Sequence, residues 1–430
     1  MSTADPVARA ALLAALGLVS ACTEAPGGHR GTTTSTGSAG AAIVSAPPPP
    51  SSPAPRPSPK PPRVLGQLDA RFLAAAVEKA PIGKLQLTLE LSGEVQEMSV
   101  IQAPAGPLPA PVQALLASKL PGAALEGQGP ALLAEGGRGL ALRASGPDKR
   151  PCRLVAGEDG KLIALTCEVK KDDLPAPAKA AMLKLLPKAE ITSVEKRTNA
   201  GTSFLVRATA AGAQHSFVVS PAGAITRHGM IVNSVVDLRL PPSPAPPSAD
   251  ARPGQVAQDF VALAAKARGV EKIKLHADAT GKLLKVAVYH HDDPLIPELV
   301  RFASTGQFPG SRVRGYETEY YADRGEVFEA DVVRSDNRPC EVSMQVDSTL
   351  LYAECDIRED EMPDAVAAAI KQAVPGGKLE EIERQNEPEA SVFTVEITAG
   401  GLLHYVQLDA KGAIRWHAVR LPAEVDLGLP

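Results

Sequence analysis

The feature that most constrains this chain is a match between its two halves, which align without gaps when one is shifted by 188 residues. The matched positions include glycines, prolines, aromatic residues and cysteines: Gly66 and Gly254, Phe72 and Phe260, Gly93 and Gly281, Pro109 and Pro297, Pro121 and Pro309, Cys152 and Cys340, and Cys167 and Cys355. A single register kept over such a stretch predicts an internal duplication. We therefore expect two homologous modules, each folding as its own unit.

Stretches rich in proline, glycine and serine delimit these modules. Residues 23–63 contain clusters of Gly, Ser, Thr and Pro that cannot bury a core, which predicts a disordered tether. At about 3.1 Å per residue, a largely extended tether of this length reaches on the order of 100 Å. A second Pro-rich stretch, 241–253, is predicted to be a linker, which leaves the modules at 64–240 and 254–424.

Residues 1–22 have the pattern of an export signal. Arg9 precedes an apolar run that ends at Val19 and is too short to span a bilayer as a mature helix. The segment from Val19 to Cys22 resembles the lipobox of bacterial lipoproteins, in which the cysteine is lipidated and becomes the new N-terminus. An ordinary secretory signal with an incidental cysteine is the alternative. Thr23 stands where an aspartate would favour inner-membrane retention, so we expect an outer-membrane lipoprotein in the cell envelope, facing the periplasm or the surface.

Apart from Cys22, the cysteines form two pairs that suit an oxidising compartment. Cys152 and Cys167 flank a sequence typical of a tight hairpin turn, and Cys340 and Cys355 repeat the arrangement. Two strands that fold back at such a turn place the cysteines opposite each other, within the range of a disulfide. The alternative, thiol pairs that ligate a metal or act as redox centres, lacks a Cys-x-x-Cys spacing.

Helix and strand signals alternate along both halves. Four segments run from proline to proline and predict helices of about three turns, which begin after Pro109, Pro175, Pro297 and Pro363. The residues after each helix alternate between apolar and polar side chains with a period of two and break at glycines, as in antiparallel meanders. A further helix and hairpin opens each half. The predicted fold class is α+β, with two homologous modules, each of tandem helix plus antiparallel β-meander repeats and one hairpin disulfide.

Two of these repeats resemble PepSY-like domains, a group related in fold to the beta-lactamase inhibitor protein. In the first half the resemblance is carried by Leu174, Pro175, Ala178, Ala181, Leu186, Pro187, Val194, Phe204, Val206 and Gly223. In the second half it is carried by Met362, Pro363, Val366, Ile370, Pro375, Ile382, Phe393, Val395, Tyr405 and Gly412. The resemblance implies a helix followed by a four-stranded antiparallel meander, tandem repeats, export from the cytoplasm and a non-enzymatic role.

The candidate partner-binding residues are aromatic and lie in the more acidic second half of the chain. They are Tyr316, Tyr320, Tyr321, Tyr352 and Trp416, and acidic residues flank the first three. Together they are predicted to form an acidic, aromatic face of the kind that binds protein partners. Core packing on alternating strand positions is the alternative for Tyr316 and Tyr320.

Histidines supply weak candidates for a metal site. His290 and His291 precede Asp292 and Asp293, and this set of donors suits zinc or copper. Adjacent strand residues point to opposite faces, however, so only part of the cluster converges. His215 and His404 occupy matching strand positions, where a packed or edge histidine is the commoner arrangement. We predict no metal and no cofactor.

The sequence predicts a function of non-catalytic binding. Motifs for a serine nucleophile elbow, a zinc protease or a phosphate-binding loop are absent, so no enzyme is predicted. The chain carries a net charge of -4 and lacks a basic patch with interleaved aromatic residues, which argues against a nucleic acid partner. We expect an exported, lipid-anchored protein that recognises a protein or peptide of the envelope. Inhibition of an enzyme is one form of this binding function. The alternatives are a passive structural lipoprotein and a carrier of a small ligand or metal.

Overall fold

Alternation of apolar and polar residues dominates the chain, and most of the described residues form β-strands, with six α-helices between them. The computed structural model describes residues 64–240 and 253–430, apart from 79, 80, 105, 135, 136, 147, 200, 268, 292–295 and 387–390. The predicted signal peptide (1–22), the lipidation site Cys22, the tether (23–63) and nearly all of the linker (241–253) lie outside these residues. No described helix has the length and apolarity needed to cross a membrane.

The helices within the described residues are α1 (Ala70–Glu78), α2 (Ala110–Lys119), α3 (Ala176–Leu185), α4 (Gln258–Lys266), α5 (Glu298–Gln307) and α6 (Asp364–Ala373). Helices α2, α3, α5 and α6 each begin directly after the predicted proline, which supplies a backbone angle suited to helix entry. Each ends before the second proline. The four helices predicted from the proline spacing are therefore present.

The first half contains the strands β1 (Gly66–Leu68), β2 (Leu85–Leu89), β3 (Val95–Val100), β4 (Ala124–Leu133), β5 (Arg138–Ser145), β6 (Pro151–Gly157), β7 (Leu162–Val169), β8 (Glu190–Thr198), β9 (Thr202–Ala210), β10 (Ala213–Val219) and β11 (Ile225–Arg239). The second half contains β12 (Gly254–Val256), β13 (Val270–Ala277), β14 (Leu283–His291), β15 (Arg312–Tyr321), β16 (Gly325–Val333), β17 (Pro339–Gln345), β18 (Leu350–Asp356), β19 (Lys378–Asn386), β20 (Ser391–Ala399), β21 (Leu402–Asp409) and β22 (Ile414–Gly428). The fold is mixed and strand-dominated, in agreement with the predicted α+β class. Helices and strands follow each other in the same order in both halves.

Strand pairing closes each half into a ring, and the two rings share one pair of strands. Strands β2 to β11 pair in sequence with their neighbours, and so do β13 to β22. The long strands β11 and β22 then pair antiparallel with each other, from Gly229 opposite Gly428 to Arg239 opposite Ala418. We call the ring of β2 to β11 plus β22 the first ring, and the ring of β13 to β22 plus β11 the second ring.

Each ring is closed by a strand from the other half. The C-terminal part of β11 pairs in parallel with β13, and the C-terminal part of β22 pairs in parallel with β2. The short strands β1 and β12 also pair with each other. In this pair Gly66 and Gly254 have φ of 121° and 106°, and a Cβ on either would lie 1.8 or 1.7 Å from a carbonyl oxygen of the facing strand. The backbones of the two halves therefore approach too closely for any larger residue.

The helices pack on one face of the strands, where the apolar residues of the alternation lie. A core shared by the two halves contains Phe72 of α1, Phe260 of α4, Val236 of β11 and Val425 of β22. Separate cores lie under α2, α3, α5 and α6. The opposite face of the strands points to the inside of a ring. In the second ring this face carries charged residues, whereas in the first ring it includes an apolar cluster of Ala131, Ala141, Val155 and Ala164.

Both predicted disulfides are present as cross-strand links. Cys152 of β6 lies directly opposite Cys167 of β7, and Cys340 of β17 lies opposite Cys355 of β18. The Cα atoms are 4.1 and 3.9 Å apart. Each bond closes a loop with a sequence separation of 15 residues between its cysteines.

Removing either disulfide should destabilise the protein. A closed loop of this length restricts the unfolded chain enough to contribute about 3 kcal/mol on the chain-entropy model. We expect the double substitution Cys152→Ala and Cys167→Ala to lower the free energy of unfolding by roughly 2–4 kcal/mol, measured by urea denaturation. Cys340→Ala with Cys355→Ala serves as the matched variant, and peptide mapping of the wild type should recover only the two hairpin links.

Separating the halves should leave unpaired strand edges. In residues 64–240 alone, β2 and β11 lose the strands of the other half that they pair with. In residues 254–430 alone, β13 and β22 lose theirs, so each piece exposes long strand edges. We expect the separately produced halves to associate when mixed, as measured by analytical ultracentrifugation. Two halves that stay monomeric and unfold cooperatively by themselves would instead support independent modules.

Candidate functional site

The inner face of the second ring encloses the candidate site, a cavity of about 810 Å³. Its wall is built mainly by residues of β11 and of β13 to β22, together with the turn after β15. The acidic lining residues are Asp237, Asp323, Glu329, Glu341 and Glu354, and the basic ones include Arg239, Lys274, Lys285 and Arg420. Aromatic side chains on the wall are Tyr321, Tyr352, Tyr405 and Trp416. A closed strand framework thus presents charged and aromatic groups to a partly open cavity.

One side of the cavity is an ion-paired network around Arg420. Its guanidinium donates to both oxygens of Asp237, at 2.8 and 3.1 Å, and to Glu396 at 2.7 Å. Burial would raise the pKa of Asp237, but neighbouring positive charge outweighs burial and lowers it. His276, whose Nδ1 lies 3.3 Å from Asp237, is itself neutral because burial lowers its pKa well below the usual range. We therefore attribute the ionised state of Asp237 chiefly to Arg420, whose bidentate geometry suits a carboxylate.

A dense group of glutamates lies on neighbouring inner-face positions. Glu317 and Glu319 of β15 form ion pairs with Lys274 and Lys285, respectively. Carboxyl oxygens of Glu317, Glu319 and Glu329 lie within 4.8 Å of one another. We call this set the first trio.

The second trio consists of Glu329, Glu341 and Glu354, whose carboxyl oxygens also lie within 4.8 Å of one another. Glu329 accepts a hydrogen bond of 2.6 Å from the hydroxyl of Tyr352, and Glu341 lies directly opposite Glu354 on the neighbouring strand. Among the described residues, no lysine or arginine forms an ion pair with a member of this trio. Asp356, Glu381 and Glu383 form a third such group on β18 and β19.

Burial and mutual repulsion hold several of these carboxyls in the protonated form. Burial, reinforced by Glu329, raises the pKa of Glu319 to about 7 and that of Glu354 to about 8. Burial raises the pKa of Glu341 well above its usual range and that of Glu383 to about 10, with neighbouring glutamates adding to both effects. The acidic side of the cavity therefore binds protons near neutral pH unless another positive charge is present.

Aromatic residues at the basic side are held by specific contacts. Trp416 donates from Nε1 to Oε1 of Gln407 at 2.9 Å and stacks on Tyr405, with ring centroids 5.4 Å apart. The guanidinium of Arg420 lies 4.7 Å from the ring centroid of Tyr405, and that of Arg239 lies 5.3 Å from Trp416. These rings are therefore fixed in place beside fixed positive charges.

The structure divides the five predicted partner-binding residues into two groups. Tyr316 and Tyr320 are 8% and 6% exposed and lie in helix-covered cores, as in the core-packing alternative. Tyr321, Tyr352 and Trp416 line the cavity instead. Strand alternation explains the division of the first three, because Tyr320 and Tyr321 are neighbours and point to opposite faces. The five side chains therefore do not form one surface.

His290, one of the two weak candidates for a metal ligand, does not line the cavity. His290 is buried on the core-facing side of β14, where its ring stacks on Tyr316 with centroids 4.8 Å apart. The side chain of His291 lies outside the described residues, as do Asp292 and Asp293. A metal site at His290 and His291 stays a prediction.

Two histidine pairs were missed by the sequence analysis. His215 Nδ1 lies 3.2 Å from His228 Nε2, and His404 Nδ1 lies 2.9 Å from His417 Nε2. Burial, with the neighbouring histidine, lowers the pKa of both His228 and His417 to about 4. The equal spacing within each pair was a visible signal, because each pair spans a hairpin of matching length in the two halves.

The acidic cluster was also missed, although its signal is in the sequence. The glutamates occupy the polar positions of strands in which apolar and polar residues alternate, and such positions are normally expected to face solvent. They are Glu317, Glu319, Glu329, Glu341 and Glu354. At the 188-residue offset the first half has Gly129, Ala131, Ala141, Arg153 and Thr166. The fold therefore does not itself require acidic residues at these positions.

Comparisons with known proteins leave the family open. No family model and no curated protein matches this chain. A DUF2874 family protein from Bacteroides uniformis has 17% identity and a TM-score of 0.24, and the match covers 29% of this chain and 88% of that one. A BLIP-like protein from Bacteroides fragilis has 16% identity and a TM-score of 0.23, with 29% and 85% covered. A candidate periplasmic protein from Bacteroides eggerthii has 17% identity and a TM-score of 0.23, with 29% and 88% covered. These likenesses concern less than a third of the chain.

The stability of the protein should fall between pH 6.5 and pH 8. In this range the folded state keeps protons on Glu354 that the unfolded state has released, since an unperturbed Glu titrates near 4.3. Stability that is fully present below pH 4.3 is therefore lost as pH rises towards 8, at up to about 1.4 kcal/mol per pH unit for each such carboxyl. The histidine pairs add nothing in this window, because their contribution is lost only as pH falls below about 6.5.

The variant Glu354→Gln isolates this effect. An amide has no titrating proton, so we expect a flatter dependence of the free energy of unfolding on pH, measured by urea denaturation at each pH. A profile identical to that of the wild type would show that Glu354 does not carry the effect.

Proposed function

We propose that this protein is a non-catalytic binding protein of the cell envelope that holds a small, polar ligand inside its second ring. The observation that carries the proposal is the cavity of about 810 Å³, whose wall combines charged and aromatic side chains. Its volume lies within the range of about 300–1,000 Å³ typical of small-molecule sites. The mixed lining favours a ligand that carries charge.

Rigid construction supports a binding role for the cavity. Most of its lining residues come from strands of a closed ring, and sites built on strands hold side chains more accurately than sites built on loops. The ion pairs of Arg420 and the stacked pair of Tyr405 and Trp416 orient the basic side. A ligand would therefore meet groups that are already in position, which lowers the entropic cost of binding.

The envelope location rests on the sequence and on the disulfides. Residues 1–22 have the pattern of an export signal, and Cys22 is proposed to carry a lipid that anchors the tether at 23–63. Two structural disulfides suit an oxidising compartment outside the cytoplasm. We propose an outer-membrane lipoprotein on these grounds.

Placement of the aromatic residues favours a small ligand over a folded partner. Tyr321, Tyr352 and Trp416 lie on the wall of a cavity, and Tyr316 and Tyr320 lie in the core. Recognition of an envelope protein through a tyrosine face, including the inhibitory version, therefore ranks below ligand binding. A passive structural role would not explain why charged side chains line a cavity.

The two halves are proposed to be duplicated modules that have diverged in function. Their elements follow the same order, and both carry the hairpin disulfide at matching positions. The glutamates of the second ring have no acidic counterparts in the first. We therefore assign ligand binding to the second half and a mainly structural role to the first.

Trp416 offers a direct test because it is the only tryptophan in the chain. Charged probes, namely spermidine, lysine, succinate and a diaminopimelate-containing peptide, should be titrated into the purified full-length protein while tryptophan fluorescence is recorded. We expect a saturable change with at least one probe, because Trp416 lines the cavity. Absence of a change with every probe, together with no small molecule released on denaturation and detected by mass spectrometry, would contradict the proposal.

A cavity-filling variant provides the control. Thr394→Phe enlarges a side chain that lines the cavity, and we expect it to weaken probe binding at least tenfold. Leu205→Phe makes a comparable change in the first ring. Leu205 directly follows the buried Phe204 on β9, just as Thr394 directly follows the buried Phe393 on β20. The Leu205→Phe variant should leave the fluorescence titration unchanged, whereas equal loss in both variants would indicate general destabilisation.

A further inference from the structure

The second trio has the donor geometry of a site for a hard cation. Oxygens of Glu329, Glu341 and Glu354 lie within 4.8 Å of one another, so a central point lies at most about 2.8 Å from each, which allows the distances of calcium–oxygen bonds. Their strands, β16, β17 and β18, are consecutive neighbours in the second ring. All three residues also line the cavity, which gives an ion a path to the site.

The charge balance at this point is unusual for a protein interior. Glu329 and Glu354 are 5% and 7% exposed, and within the described part of the chain neither Lys nor Arg pairs with them or with Glu341. A carboxylate removed from water without a counter-charge is costly, so such a group is either protonated or bound to a cation. The nearest lysines, Lys274 and Lys285, are already paired with Glu317 and Glu319.

A second, independent observation points to a ligand at the trio. Ser343 is fully buried, and its Oγ has no hydrogen-bond partner. It lies two residues after Glu341 on β17 and directly opposite Glu329 and Tyr352 on the flanking strands, so it shares their face. One oxygen of Glu319, a residue with no exposed surface, is also without a partner. Uncompensated buried oxygens are rare, and both of these lie on the strand face that carries the trio.

The first ring provides an internal comparison. Ala141, Arg153, Val155 and Thr166 stand where the second ring has Glu329, Glu341, Ser343 and Glu354. There the arginine at the position of Glu341 donates to Glu97 and Ser99. At matching strand positions, the first ring therefore has an arginine that supplies the positive charge, whereas the second ring has three carboxyls.

We propose that Glu329, Glu341 and Glu354 bind one hard divalent cation of the calcium, magnesium or manganese class on the inner face of the second ring. Carboxylate and hydroxyl oxygens are the ligands that such ions prefer, and the group lacks the histidine or cysteine donors that favour zinc. Ser343 Oγ supplies a neutral oxygen beside the trio. The inference shares its cavity with the proposed function, but the ion does not depend on the small ligand.

Metal binding should be measured on the full chain after treatment with EDTA and removal of the chelator. We expect one equivalent of cation per chain by equilibrium dialysis with elemental analysis, and a dose-dependent rise of Tm with CaCl2, MgCl2 or MnCl2. Terbium, a luminescent substitute for calcium, should be sensitised by tyrosine excitation, since the Tyr352 hydroxyl lies 2.6 Å from Glu329. Calcium should displace it.

The double variant Glu341→Gln with Glu354→Gln should weaken cation binding at least tenfold and abolish the rise of Tm. Without metal it should melt above the EDTA-treated wild type at pH 8, because two buried acids have been removed. Glu326→Gln is the matched control, since Glu326 lies on β16 and points to the face opposite Glu329. It should bind the cation as the wild type does.

Two outcomes would overturn the inference. The first is a wild type that neither retains nor is stabilised by any of the three ions at millimolar concentration. The second is binding that the double variant retains. Because the Trp416 titration uses organic probes, a positive result there with no metal response would reject the cation site and leave the proposed function standing. A metal response without any probe response would do the reverse.

Discussion

Pairing between β11 and β22 is the interaction on which the rest of the structure depends. These two strands bond antiparallel along most of their length, and each also accepts a parallel strand from the other half. Without these two strands, β10 and β21 would be edges, and the closing strands β2 and β13 would each keep only one neighbour. A half-molecule cannot satisfy these backbone groups alone, since each buried N–H and C=O needs a hydrogen-bond partner. The helix-covered core between α1 and α4 forms at the same junction and is shared for the same reason.

Ring closure also changes the meaning of the polar residues on the strands. In an open meander the polar face meets water, and charges there have little energetic consequence. In the second ring that face encloses a cavity, so glutamates on five neighbouring positions are removed from most of the solvent. Glu317 and Glu319 are paired with Lys274 and Lys285, whereas Glu341 and Glu354 are held protonated by burial. The same closure that completes the backbone hydrogen bonds therefore creates the electrostatics of the site.

Local features of the fold were predictable because their causes are local. Proline spacing located α2, α3, α5 and α6, and hairpin turns located both disulfides, since each depends on residues close together in sequence. The site was not predictable in this way. Tyr316 and Tyr321 were grouped because they are near in sequence, yet alternation places the first in a core and the second on the cavity wall. Glu317, Glu341 and Glu354 are far apart in sequence, and only strand register brings them together.

The sequence by itself determined the repeated order of helices and strands, the cysteine pairing and the two faces of each strand, because turn residues, prolines and period-two alternation act over short range. Only the tertiary structure decided that the last strand of each half completes the ring of the other, and that the polar face of the second ring lies inside. The physical reason is that alternation distinguishes two faces without telling which one meets water. Pairing between distant strands decides which face is buried. In the second half this pairing buries glutamates that the alternation pattern alone would place on the surface, and it leaves part of their charge without a positive partner.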